Sequence, residues 1–310
     1  MNTTGEQSTP AELNSIEGFY FDTSIALSAD VPESVLGEAL ARCEAYEKLL
    51  SRFAPGSDVW RINHAEGRPV TVAGDTLRIL SCAEEMRRAS GGAFNAAVGS
   101  ILELWDFSGN TTVVPAEAAL EEARARMEAA ELDIEGNEVC IAQGTTLDLG
   151  GIAKGYICDR VADYLRESGA RCGILNFGGN VATIGSHPQG RPWQVGIQTP
   201  SAERNQSVFA VVESSDNSVI TSGVYERAFV LDGRVYHHIL DPRSCFPSTS
   251  TIISATIVLR DGMVADALAT ALLILGVEQG FSLAQSYGAQ ALVMDAHGQV
   301  SATKGFPLLG

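Results

Sequence analysis

The chain of 310 residues carries 21 Lys and Arg against 38 Asp and Glu, and its formal net charge of -17 speaks against a nucleic-acid backbone or an anionic membrane surface as partner. With 45% hydrophobic and 19% charged residues the composition is globular, and the length allows one elaborate domain or two intimate ones. An anionic small molecule would need a local positive device to bind such a protein.

The first twelve residues are polar and lack an apolar signal core, so a disordered segment is expected over 1–15, ahead of a single folded unit over 16–310. As given, the sequence points to the cytoplasm, or to an extracytoplasmic site if a signal or lipid anchor was removed. No apolar run reaches transmembrane length. The cysteines at 43, 82, 140, 158, 172 and 245 form no C-x-x-C pair and read as reduced, mostly buried thiols. Gly18 to Ala29 alternates like a first strand. Pro32 and Glu33 then open a helix with Leu36, Leu40, Cys43, Leu50 and Phe53 on one face. After a stop at 54–57, a short strand is expected at Val70 to Val72, then a helix capped by Asp75 and ended by Gly91-Gly92. Ala93-Phe94-Asn95 reads as a tight turn. Pro115 to Leu132 reads as a solvated surface helix, Leu132 to Ala142 as a hairpin turning at Gly136-Asn137, and Thr146 to Leu149 as a short strand.

That strand enters Asp148-Leu149-Gly150-Gly151-Ile152-Ala153-Lys154-Gly155 and a helix. Strand, paired glycines and helix start present free N–H groups to an anion, and Lys154 adds a point charge, although a plain packing turn has the same pattern. Cys172 to Phe177, Val181 to Gly185, Trp193 to Gln198, Val208 to Val212 and Ser218 to Thr221 follow as short strands. Thr221 to Arg227 reads as a loop whose small residues, Ser222 and Gly223, permit close backbone approach. Phe229 to Leu240 is a hairpin around Asp232-Gly233, and alternation puts His237 and His238 on opposite faces, so that one can face a site. Past the β-branched run Ile252 to Leu259, Asp261 can cap a helix bearing Asp266 and Thr270 at i and i+4 among Ala, Leu, Met and Val. A carboxylate and a hydroxyl on one apolar face need a polar partner, and a hard cation with oxygen ligands would serve. An ordinary helix with one satisfied Asp is the alternative. A helix over Glu278 to Tyr287 and strands over Ala291 to Asp295 and Gln299 to Lys304 complete an expected α+β architecture.

Five motifs in order, D-L-G-G-I-A-K-G-Y at 148–156, N-F-G-G-N at 176–180, T-S-G-V-Y-E-R at 221–227, H-H-I-L-D-P-R at 237–243 and A-D-A-L-A-T-A-L at 265–272, resemble the ApbE-type FAD:protein FMN transferase (flavin transferase) family. S-R-F-A-P-G-S at 51–57, I-N at 62–63 and G-G-A-F-N-A-A-V-G at 91–99 extend the resemblance over nearly the whole chain. It implies a T-fold-like mixed architecture, with two intimately packed subdomains around a nucleotide cleft. The implied reaction moves FMN from FAD to a Thr or Ser of an acceptor flavoprotein, an electron-transfer subunit or flavin-dependent reductase, and releases AMP. Rival readings are a metal-dependent FAD pyrophosphatase and a non-catalytic FAD-binding protein.

By the same resemblance Mg2+ would be held by Asp266, Thr270 and the backbone of Gly151 and Ala269. The nucleotide would meet Phe21, Phe53, Ala93, Phe94, Asn95, Asp148, Lys154, Ser222, Gly223, Ile239 and Leu240. His238, Lys154 and Asp266 are the expected catalytic residues, with His238 as base. The sequence departs from the family's Met-Gly-Thr at Phe21-Asp22-Thr23, from its Gly-Ala-Phe-Asp at Asn95, and from its Gly after Asp-Pro-x-Thr at Cys245.

Overall fold

A computed structural model of the chain describes residues 12–107, 112–128, 132–200 and 207–309. Most of the N-terminal segment 1–15 lies outside the described residues, and Asn14 and Ser15 already belong to the first strand. The strand expected over 18–29 is two strands, β1 (Asn14–Tyr20) and β2 (Thr23–Ala29), paired antiparallel with Tyr20 opposite Thr23. Their two-residue connection, Phe21-Asp22, has both residues at φ 56°, the left-handed conformation of a type I′ turn.

Next come α1 (Glu33–Leu50), α2 (Asp58–Asn63), β3 (Val70–Thr71), α3 (Gly74–Ala89), α4 (Gly99–Leu102) and α5 (Glu117–Glu128). The helix α1 buries Leu36, Ala39, Cys43 and Leu50, but it stops before Phe53, whose ring is 75% exposed. Asp75 does not cap α3. Ala73 holds that position, and the Asp75 carboxylate instead accepts the Tyr156 hydroxyl. The expected surface helix over 115–132 is described as α5, and its last residues, 129–131, lie outside the described residues. The hairpin β4 (Leu132–Glu135) and β5 (Glu138–Ile141) turns where expected and pairs with β3. Of the strand expected over Thr146 to Leu149 there is only an isolated parallel bridge of Thr146 with Val98, because Asn63 occupies the Leu147 backbone on both sides: Leu147 N–H donates to Asn63 Oδ1 at 2.8 Å, and Asn63 Nδ2 donates to Leu147 O at 3.0 Å.

The remainder is α6 (Ala153–Glu167), β6 (Gly173–Phe177), β7 (Asn180–Ile184), β8 (Trp193–Gln198), β9 (Val208–Ser214) and β10 (Ser218–Gly223). The small strands β11 (Ala228–Leu231), β12 (Arg234–His237), β13 (Leu240–Asp241) and β14 (Phe246–Pro247) precede β15 (Ile252–Leu259). The chain closes with α7 (Gly262–Leu275), α8 (Val277–Ser286), β16 (Gln290–Asp295) and β17 (Val300–Ala302). Eight strands form one antiparallel sheet in the order β1-β2-β6-β7-β10-β15-β16-β17. Helices α6 and α7 pack on one face of it, and α1 lies against α6. On the other face Val195, Ile197 and Val212 of the β8–β9 hairpin meet Val181, Val219 and Val258. Covered on both sides, β7 is buried at every position, as its unbroken run Asn180–Ile184 requires.

A helix can be apolar all round only if it is buried all round, and α7 meets that condition, with the sheet, α3, α6 and α8 against it. A separate aromatic cluster of Trp105, Phe107, Phe229, Tyr236 and Phe246 sits beneath β11–β12. No helix among the described residues is long and apolar enough to cross a membrane.

Candidate active site

The site is built where the N-terminal turns of α6 and α7 cross. Asp266 is 2% exposed, and its Oδ2 accepts the Gly155 N–H at 2.9 Å. The crossing is closer than any side chain allows: a Cβ on Gly155 would lie 2.1 Å from Gly262 O and 2.9 Å from Asp266 Cβ. One turn along α7, Thr270 faces the glycine loop, where a Cβ on Gly151 would lie 3.2 Å from Thr270 Oγ1 and 3.3 Å from the Phe94 ring. Asp266, Thr270, Gly151 and Phe94 are thereby brought together from three stretches of sequence. Asp261 caps α7 as expected, accepting the Val264 N–H at 3.0 Å.

The glycine loop is held from the other side by Asp148. Its Oδ1 accepts the Gly150 N–H at 2.8 Å, and its Oδ2 stands 2.9 Å from Arg52 Nε. That contact is an ion pair whose angle falls short of a hydrogen bond, since Arg52 Nε has no hydrogen-bond partner. The Arg52 guanidinium also lies 4.5 Å from the centroid of the exposed Phe53 ring, so Phe53 projects at the rim of the loop. Asn95 is turned inward on its own backbone, with Oδ1 accepting the Ala97 N–H at 2.9 Å, while Ala93 and Phe94 are buried. Phe21 N–H donates to Glu47 Oε1 at 2.6 Å, which ties the strained β1–β2 turn to α1.

His238 lies just past β12. Its Nδ1 is 3.2 Å from Arg227 O, and because a carbonyl can only accept, Nδ1 carries the proton and Nε2 is left with a free lone pair. Desolvation, then the Arg227 charge, and more weakly His237 and Lys154, push the ring down to about 4, so it is neutral at pH 7. Lys154 is thus within electrostatic reach of His238. His237 is buried, with Nδ1 unpartnered and its basicity lowered chiefly by desolvation. Ile239 and Leu240 are buried, and Ile239 O accepts the Ser248 N–H at 2.9 Å.

The loop expected over 221–227 begins later than its composition suggests. Thr221, Ser222 and Gly223 extend β10 against β15, because Thr256, Ala255 and Ser254 continue the ladder. Ser222 and Gly223 therefore belong to the sheet under α7. Cys245, in the family's glycine position, keeps the left-handed turn at φ 61°, and its carbonyl accepts the Trp105 Nε1–H at 3.1 Å. The residue that sequence patterns missed is Arg52, whose partner lies far along the chain; the only signal was its place in the 51–57 motif.

Among the described residues no group of three or more His, Cys, Asp and Glu gathers, which leaves no set of ligands for a soft metal. A buried carboxylate, a hydroxyl one turn away and a glycine loop packed against that hydroxyl offer oxygen donors alone, which suits a hard divalent cation. The residues fit such an ion.

This architecture, an antiparallel sheet under a crossed helix pair with a glycine loop at its head, has close counterparts. The ApbE family pattern matches residues 20–293, and the chain belongs to that family. The FAD:protein FMN transferase of Klebsiella pneumoniae is 38% identical over 252 residues, covering 80% of this chain and 78% of that protein. The protein of the same name from Treponema pallidum is 33% identical over 290 residues, covering 88% and 80%. Among solved structures, the ApbE protein of Thermotoga maritima superposes with a TM-score of 0.86 at 30% identity, covering 94% of this chain and 97% of that one. The flavin transferase ApbE of Vibrio cholerae gives 0.85 at 28% identity, covering 97% and 100%.

Proposed function

We propose that the protein is an FAD:protein FMN transferase. An acceptor Thr or Ser hydroxyl oxygen bonds to the phosphorus of the FMN half of FAD, the pyrophosphate P–O bond breaks, AMP departs with the electron pair, and the hydroxyl proton passes to a base. The observation that carries the reading is the buried Asp266 held beside Thr270 and Gly151 at the head of the α6–α7 crossing, in a chain belonging to the ApbE family.

Asp266, Thr270 and the carbonyls of Gly151 and Ala269 would hold Mg2+, which when bound supplies charge neutralisation to the pyrophosphate. Lys154, at the start of α6, adds a positive charge where an acidic protein has few to offer, and stabilises charge developing on the departing AMP. His238 Nε2, unprotonated at pH 7, accepts the hydroxyl proton. Phe94 packs against Gly151 from beneath, while Phe53 at the rim offers an aromatic face to a ring of the dinucleotide. The acceptor is a flavoprotein of electron transfer, either an electron-transfer subunit or a flavin-dependent reductase, as the family resemblance implies.

Incubation with FAD, Mg2+ and such an acceptor separates this reading from its rivals. A fluorescent acceptor band that survives denaturation supports transfer. Free FMN with AMP and no labelled band would make the protein a pyrophosphatase, and intact FAD would make it a binding protein.

A further inference from the structure

The two crossed helices cap each other. Asp266 of α7 takes a backbone N–H from the first turn of α6, and one turn into α6 Asp159 returns the contact. Asp159 Oδ2 accepts the Gly262 N–H at 2.7 Å and the Met263 N–H at 3.3 Å, two donors that α7 cannot satisfy internally. Its Oδ1 accepts the Ser218 hydroxyl at 3.1 Å, anchoring the same carboxylate to β10. A Cβ on Gly262 would sit 2.6 Å from Asp159 Oδ1 and 2.9 Å from Ser218 Oγ, so the clamp leaves no room for a side chain at this position. Asp261 already caps α7 by itself, so Asp159 is not needed merely to start the helix.

We propose that Asp159 is a positioning residue: by clamping Gly262 and Met263 it fixes the register of α7 on α6, and with it the placement of Asp266 and Thr270 against the glycine loop, so that it sets the affinity of that site for a divalent cation. Gly262 and Asp266 are four residues apart and share a helix face, so a shift at the clamp moves the carboxylate with it. The inference rests on the reading of Asp266 and Thr270 as cation ligands. Asp159 also lines a cavity of about 340 Å³, with Arg78, Arg160 and Asp261 in its wall.

The test compares Asp159→Ala and Asp159→Asn in the full chain, titrating Mg2+ calorimetrically in saturating FAD and following amide exchange at Gly155. An Asn carbonyl can accept both α7 N–H groups while its amide donates to Ser218, so Asp159→Asn should stay close to wild type in Mg2+ affinity and Gly155 protection. Asp159→Ala should weaken Mg2+ about 10- to 100-fold and speed Gly155 exchange, with turnover at saturating Mg2+ largely retained. Wild-type Mg2+ affinity in the Ala variant, or equal losses in both variants, overturns the proposal. If the Ala variant does not fold, Asp159→Ser takes its place, and failure of both to fold also counts against it, because the clamp would then hold the fold and not the ligand. A wild-type chain that gives no Mg2+ isotherm overturns the cation reading itself, a result distinct from an Ala variant that binds normally.

Discussion

Phe21 and Asp22 occupy left-handed backbone where a hairpin usually places Asn or Gly, and this strain sits at a turn bound to α1 by Glu47. Asp22 stands where the family has Gly, so Asp22→Gly should relieve about 1 kcal/mol of steric cost and lose part of it to chain entropy, a net gain of about 0.5 kcal/mol. A higher urea midpoint is the expected result; a lower one would mean that the Asp22 side chain supports the turn. His238 yields a second prediction. With the ring pushed down to about 4, the rate of FMN transfer should fall only as the pH drops through roughly that value, where Nε2 becomes protonated. The unperturbed histidine value of about 6.5 is the wrong place to look for this limb. His238→Ala should bind FAD and Mg2+ nearly as wild type yet lose transfer and the limb together; a variant with wild-type rates would leave His238 structural. Asp266 and Thr270 were legible in the sequence because a polar pair at helical spacing in an apolar run has to be explained. Arg52 was not, since its ion pair with Asp148 joins stretches that no local pattern connects. Nor could alternation tell which ring nitrogen of His238 faces the Arg227 carbonyl.

At the level of elements, strand and helix order was readable because hydrophobic period and turn residues agree along most of the chain. The departures have local causes. The β10 strand runs on into small residues because β15 offers it a partner to Ser254, and Asp75 gives up its cap position because Tyr156 claims its carboxylate. The contact between α6 and α7 could not be read at all, since Gly155 and Gly262 look like ordinary loop and cap glycines until their backbones are seen to touch. This contact carries a pH dependence. Burial first, then the Asp261 charge, raise the Asp159 carboxyl to about 7, against backbone and Ser218 hydrogen bonds that lower it. The folded chain therefore holds that proton more tightly than the unfolded chain, so its stabilisation is complete below the ordinary value of 3.8 and is lost as pH rises through about 7. Urea unfolding at pH 5 and pH 8 should show a smaller drop in stability for Asp159→Asn than for wild type. An identical drop in both would remove Asp159 as the source.

For the whole molecule, a net charge of -17 makes the few cations at the site count. Lys154, Arg227 and Arg52 come from three separated stretches and all stand around the glycine loop or His238. Lys154→Ala should weaken FAD binding about tenfold, measured by quenching of flavin fluorescence, because no bulk positive potential replaces it. Unchanged affinity and rate would return Lys154 to the solvated surface. The glycine loop leads into α6, whose first turn carries Lys154, and is paired through Asp148 to Arg52, while Lys154 also lowers the basicity of His238, links that only the family resemblance suggested in the sequence. Transfer of FMN to a protein hydroxyl is the reaction that these roles serve together. Its most direct test is the intact mass of an acceptor flavoprotein after incubation with FAD and Mg2+, with AMP measured in the same sample. Wild type should add one FMN phosphoester per acceptor site and release one AMP for each, while Asp266→Ala, folded by circular dichroism, should add none. An unmodified acceptor with wild type, or full modification by Asp266→Ala, would contradict it.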